Sequence, residues 1–172
     1  MSRNTPLLTF IGKSNSGKTT LLVKLIPELK SKGYRVATIK HSHHNVVIDK
    51  EGKDSWRHRA AGAETVALIS GNQLSCVKSF PEEPTLGFVR DNYIKDVDII
   101  LAEGFKGAEM PKIWVFRGDN SSIINKGDNL VAVASDRKVH INAPWFDIND
   151  ISGLAGFIEK TFLKGVSIKE PT

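Results

Sequence analysis

Residues Gly12-Lys13-Ser14-Asn15-Ser16-Gly17-Lys18-Thr19 fit the spacing G-x-x-x-x-G-K-[ST] without exception. Leu7-Leu8-Thr9-Phe10-Ile11 precedes them, stops at Gly12 and reads as a buried strand. Lys18 to Lys32 follows, with Leu21, Leu22, Leu25, Ile26 and Leu29 on one helical face. Strand, small-residue loop and helix in register leave few folds open. Small residues let successive backbone amides converge on phosphate oxygens, and the positive end of the helix dipole faces the same place. In such a loop Lys18 reaches the β- and γ-phosphates, the Thr19 hydroxyl ligates Mg²⁺, and Thr20 sits beside the α-phosphate. The expected contacts therefore run through Gly12, Lys13, Ser14, Asn15, Ser16, Gly17, Lys18, Thr19 and Thr20.

The rest of the chain alternates in the same manner. Pro27 predicts a kink or an altered last turn in the first helix, and Gly33 is placed to end it. Tyr34 to Ile39, Val97 to Ala102, Ile113 to Phe116 and Leu130 to Ala134 read as strands. Asp54 to Ala61, Thr85 to Asn92 and Asp150 to Leu163 read as helices. Glu64 to Ser70 and Gln73 to Ser79 read as a hairpin around Gly71-Asn72. Continuous apolar strands between helices predict an α/β, three-layer P-loop NTPase-like domain with a mostly parallel sheet, the hairpin supplying added antiparallel strands. One such domain is expected over residues 1–164, with a frayed tail over 165–172.

A Mg²⁺–nucleotide site also needs an acidic residue at the far end of a neighbouring strand. Asp98 and Glu103 lie on one predicted strand, roughly 16 Å apart at strand rise. Ligands bind at the carboxyl ends of strands in open α/β sheets, so Glu103 is preferred as metal ligand or water-positioning residue. Lys18 and Glu103 are thus the expected catalytic pair, and Thr19, Glu103 and Asp49 the expected metal ligands. Lys40-His41-Ser42-His43-His44 leaves the second strand at the same edge, followed by Asp49, Lys53, Asp54, Ser55 and Arg57. The group reads as a loop contacting phosphate, metal or a second anion, with His41 and Lys53 among its contacts. A zinc site is disfavoured, because no closed set of four ligands and no Cys partner stand nearby.

Two segments could read guanine. Asn125-Lys126-Gly127-Asp128 spells N-K-x-D, but Asp119 to Ile124 before it is a polar turn and not a buried strand. Asp136 is preferred, because it emerges from the carboxyl end of Leu130 to Ser135.

Composition narrows the partners. Of 172 residues, 40% are hydrophobic and 25% charged, which excludes a disordered, collagen-like or coiled-coil chain. Lys plus Arg number 24 against 19 Asp plus Glu, net +5, which favours an anionic partner. The basic residues are dispersed, which argues against nucleic acid. The single Cys76 cannot form an internal disulfide, no apolar run approaches the ~18 residues of a membrane span, and no signal peptide is read. A cytoplasmic protein away from membranes is expected.

The loop Gly12–Thr20, Lys40-His41-Ser42-His43-His44, Gly52-Lys53-Asp54-Ser55, Ala60-Ala61-Gly62-Ala63, Glu103-Gly104-Phe105-Lys106, Val131 to Asp136 and Asp147-Ile148-Asn149-Asp150 occur in this order. Together they resemble the molybdopterin-guanine dinucleotide biosynthesis adapter family, MobB, from about Leu7 to Phe162. The loop alone is common to many proteins, whereas the histidine, Gly-Lys-Asp-Ser and Glu-Gly-Phe-Lys steps together are far more specific. The resemblance implies a GTP-binding homodimer with weak Mg²⁺-dependent GTPase activity. It also implies a role beside the guanylyltransferase that joins GMP to molybdopterin, with molybdopterin itself a further candidate ligand. Lys13 resembles a lysine that reaches the partner's nucleotide in related dimeric NTPases. A small-molecule kinase using ATP is the competing reading, although Arg57 and Arg59 are the only close arginine pair and no lid insertion is visible. A third reading, an interaction module with a vestigial loop, runs against the intact Lys18-Thr19 pair.

Overall fold

The computed structural model describes residues 5–42, 49–118 and 129–164. They fall into two compact units, Met1–His41 with Leu86–Thr172, and Ser42–Thr85. The N-K-x-D sequence, His43, His44 and the expected tail lie outside the described residues.

The larger unit is a sheet of six strands: β1 (Leu7–Ile11), β2 (Val36–Lys40), then, beyond the second unit, β5 (Ile99–Glu103), β6 (Lys112–Phe116), β7 (Leu130–Ser135) and β8 (Trp145–Asp147). Their spatial order is β2-β5-β1-β6-β7-β8, and every pairing is parallel. Side-chain alternation divides the core between the two faces of this sheet. Leu8, Phe10, Ile99, Leu101, Ile113, Val115, Ala132 and Ala134 face helices α1 (Lys18–Ser31) and α4 (Ile151–Ile158), with Leu25, Leu29, Leu154 and Ile158 buried against them. On the opposite face Leu7, Ile100 and Ala102 pack with Leu86 of α3 (Leu86–Tyr93). The three-layer α/β arrangement expected from the alternation is what forms. Among the described residues no helix is long and apolar enough to cross a membrane.

The smaller unit holds α2 (Asp54–Ala60) and an antiparallel hairpin of β3 (Thr65–Ser70) and β4 (Gln73–Lys78), paired from Thr65 with Lys78 to Ser70 with Gln73. Leu68, Ile69 and Leu74 of this hairpin are 55%, 76% and 67% exposed.

Several boundaries differ from the sequence reading. Helix α1 runs through Pro27 to Ser31 and closes on short-range bonds, Lys32 N–H to Leu29 O at 3.2 Å and Gly33 N–H to Lys30 O at 2.9 Å, with Gly33 at φ +91°. Strand β2 starts two residues later than expected. Tyr34 and Arg35 instead engage Glu159 and Asp98, and β5 begins at Ile99, after Asp98. Strand β8 is only three residues long and follows a polar stretch, so no sequence pattern marks it. The last helix, expected to be continuous to Leu163, is α-helical to Ile158 and then turns as a π-helix over Glu159–Leu163.

Glu159 explains why that turn is held. Its carboxylate accepts from Lys164 Nζ at 2.7 Å, Tyr34 Oη at 3.0 Å and Lys32 Nζ at 3.3 Å. The Lys164 bond, then the Tyr34 bond, hold its pKa down to about 2 from an ordinary 4.5. The folded value lies below the unfolded one, so this stabilisation is present above about pH 4.5 and is lost as pH falls towards about 2. Glu159→Gln is expected to flatten the dependence of Tm on pH across that window. A variant with the wild-type profile would show that the cluster is not a source of acid sensitivity.

Candidate functional site

The order of the strands puts the carboxyl end of β1 at a reversal. The chain leaves β1 towards β2 on one side, while β6, β7 and β8 build outwards on the other. Such a reversal opens a crevice at the carboxyl edge of a parallel sheet, where ligands of these folds bind. The Gly12–Thr19 loop lies there.

The loop is closely supported from below. A Cβ on Gly12 would collide with the backbone carbonyl oxygen of Val115 on β6 and reach Ser16 Oγ at 2.7 Å. Asn15 (φ +60°) and Gly17 (φ +95°) both take left-handed conformations, so the chain curls before α1 begins. Gly17 is the N-cap of α1 and supplies no side-chain cap. The amides of the first turn therefore have no partner within the helix and face the crevice. Ser16 is 5% exposed, and its Oγ has no hydrogen-bond partner among the described residues. Buried hydroxyls are normally satisfied, so this one stands out within the loop.

Lys18 folds back over the loop and donates to Gly12 O at 3.0 Å and Lys13 O at 2.7 Å. Burial lowers its pKa, Glu103 counteracts that, and the like charge of Lys40 adds to the lowering. Next to it, the Thr19 hydroxyl meets both carboxylate oxygens of Glu103, at 2.8 and 2.9 Å. Lys40 Nζ stands 3.4 Å from Glu103 Oε1 and 3.5 Å from Thr19 Oγ1. One hydroxyl and one carboxylate at the mouth of an amide-lined loop form a hard-oxygen set. That set suits Mg²⁺, which takes one or two protein oxygens and fills its shell with phosphate and water. Among the described residues no three His, Cys, Asp or Glu side chains cluster to hold a metal by themselves.

Asp98 and Glu103, the two candidates for the metal, separate clearly. Asp98 lies at the opposite end of β5, accepting from Arg35 N at 2.7 Å, Nε at 3.2 Å and Nη2 at 3.1 Å. Those bonds hold its pKa down and account for its charge. Glu103 alone of the two reaches Thr19.

After Glu103 the chain turns through Gly104 (φ +96°) and Phe105 (φ +59°). A bulky residue in the left-handed region costs of order 1–3 kcal/mol. The ring of Phe105 stacks on His41, with centroids 4.7 Å apart and planes at 28°. A Cβ on Gly104 would lie 3.2 Å from His41 Cβ, so glycine is what admits the close approach of the two loops. His41 N–H also donates to Glu103 O at 3.0 Å, which ties the end of β2 to that of β5. Asp49 and Lys53 belong to the Ser42–Thr85 unit, where Asp49 Oδ1 accepts from Ser55 Oγ at 2.8 Å.

Asp136 emerges exposed from the carboxyl end of β7, as expected, but its carboxylate is engaged. Both oxygens accept from Gly118 N–H, at 3.1 and 3.2 Å. A carboxylate has further lone pairs, so this contact orients Asp136 without exhausting it. The Asp147–Asp150 step approaches the loop through Ile148. Ile148 N–H donates to Ser135 O at 3.0 Å, and Ile148 Cδ1 comes within 3.3 Å of the Cβ position of Gly17. The sequence reading missed Arg117, which lies against Gly17. No motif marks it, and its place after β6 is the only signal that could have found it.

Comparison with known proteins agrees with this architecture. Residues 7–136 match the MobB family, described as molybdopterin guanine dinucleotide synthesis protein B. The chain belongs to the MobB family. It is 42% identical over 161 residues to the molybdopterin-guanine dinucleotide biosynthesis adapter protein of Haemophilus influenzae, covering 92% of this chain and 90% of that protein. It is 40% identical over 159 residues to the Escherichia coli adapter protein of the same description, covering 89% and 91%. A crystal structure of molybdopterin-guanine biosynthesis protein B superposes with a TM-score of 0.76 at 29% identity, over 90% of this chain and 97% of that one. Bacillus subtilis MobB superposes at 0.73 and 25% identity, over 88% and 97%. The MobB match ends at Asp136, so β8 and α4 lie beyond the matched residues, while the two adapter relatives and the solved structures extend over most of the chain.

Proposed function

We propose that this MobB-family chain is an adapter in molybdopterin guanine dinucleotide biosynthesis that binds GTP with Mg²⁺, turns it over slowly, and acts beside the guanylyltransferase. The adapter role follows from its relatives. The nucleotide role rests on one observation above all, the Thr19 hydroxyl bonded to Glu103 at the mouth of an amide-lined loop. Backbone amides of Gly12 to Thr20 and the ammonium of Lys18 hold the phosphates. Thr19 and Glu103 hold the metal, which when bound neutralises charge between the phosphates. His41 and Lys40 lie at the phosphate end, and Asp136 accepts from the guanine edge. The exposed Ile69 and Leu74, paired across the hairpin, form an apolar patch on one face, with exposed Leu68 on the other; the hairpin is marginal alone, and a second copy of this chain is the proposed cover of the Ile69–Leu74 face.

Calorimetric titration with GTP, GDP and ATP, with and without Mg²⁺, tests the reading. GTP is expected to bind best, with Mg²⁺ strengthening it. Lys18→Ala should weaken it by roughly 100-fold, as expected for removing a charge-assisted contact to phosphate together with the loop's own support. A preference for ATP would transfer the weight to a kinase, and no binding by the wild type would overturn the nucleotide role.

A further inference from the structure

One cation at this crevice is called for by no part of the loop motif. Arg117 is the first residue after β6, at the same carboxyl edge as the loop. A Cβ on Gly17 would lie 3.2 Å from Arg117 Nε and 3.8 Å from Nη2. Its guanidinium thus borders the N-cap of α1, where Gly17 provides no side-chain cap. Next to Gly17 in the loop, the buried Ser16 Oγ has no hydrogen-bond partner among the described residues. The turn that aims Arg117 is itself fixed: Gly118 takes φ +66° and donates its amide to both oxygens of Asp136, at 3.1 and 3.2 Å. Arg117 is exposed on this rim, so a ligand can reach it.

We propose that Arg117 is a further nucleotide-binding residue whose guanidinium donates to phosphate oxygens held at the N-terminus of α1. A planar fork with five donors suits phosphate oxygens, and the helix end has already gathered the donors around it. Arg117 comes from this chain itself, so the added charge needs no partner subunit. The inference rests on the nucleotide reading above and deepens it.

The test is calorimetry of the full-length protein with GTP and GDP in Mg²⁺, comparing wild type, Arg117→Ala, Arg117→Lys and Lys18→Ala, with ligand-free melting recorded for each. Arg117→Ala is expected to weaken both nucleotides by about 10- to 100-fold, the range of one lost charge-assisted bond. Arg117→Lys should retain part of the affinity, with ligand-free melting close to the wild-type value in that variant. Wild-type affinity in Arg117→Ala, with binding lost in Lys18→Ala, would overturn the role of Arg117 and leave the nucleotide reading standing. Weakened binding accompanied by a lowered ligand-free melting temperature in both Arg117 variants would make Arg117 a packing residue and overturn it too. A wild type that binds no nucleotide would overturn both.

Discussion

Alanine at Gly12 is expected to destabilise the fold by about 3 kcal/mol, the upper part of the usual overpacking range. The added Cβ meets the carbonyl oxygen of Val115, a backbone atom in β6, and also Ser16 Oγ at 2.7 Å. Val115 is fully buried and paired with Ala134 across the sheet, so it has no room to retreat. In a chain of this size that corresponds to a fall in Tm of roughly 6–12 °C. Gly33→Ala is the comparison: its φ is +91° but nothing lies within 4 Å of the added atom. Only the backbone conformation is penalised there, by about 1 kcal/mol. Thermal melting of the two variants separates the effects, and equal shifts would refute the collision at Gly12.

Glu103→Gln is expected to lower Mg²⁺-dependent nucleotide affinity by roughly 10- to 100-fold, the scale of a lost metal-supporting carboxylate. The substitution keeps the shape and one acceptor for Thr19, but removes the charge that faces Thr19, Lys40 and Lys18. Affinity measured in a chelator should change little. A second consequence concerns Lys18. Its pKa is lowered chiefly by burial, and Glu103 is the group that opposes the lowering. With the carboxylate gone, Lys18 gives up its proton at lower pH, so affinity in Glu103→Gln should fall off earlier on the alkaline side. An equal loss with and without Mg²⁺ would show that Glu103 only braces Thr19 and Lys40.

Both effects depend on neighbours that are remote in sequence, and this sets the limit of what the chain reveals by itself. Helix α1 and strand β1 were legible because their signals are local: an apolar run ended by Gly12, then leucines at helical spacing. The hairpin was legible through Gly71-Asn72 between two alternating runs. The preference for Glu103 over Asp98 also followed from strand direction alone, since carboxyl ends and not amino ends face the crevice of a parallel sheet. Strand β8 was not legible, because three residues carry too little periodicity and their pairing partner, β7, supplies most of the order.

The sequence by itself determined the loop, its flanking elements and the layer arrangement, because backbone geometry and hydrophobic periodicity act over a few residues. Only the tertiary structure decided which groups meet there. The order β2-β5-β1-β6-β7-β8 brings Glu103 to Thr19, Arg117 to Gly17 and Asp136 to Gly118, from strands separated by up to about a hundred residues. No local propensity encodes those meetings. They arise because hydrogen-bonded parallel register fixes where each strand ends, and the ends of neighbouring strands share one edge.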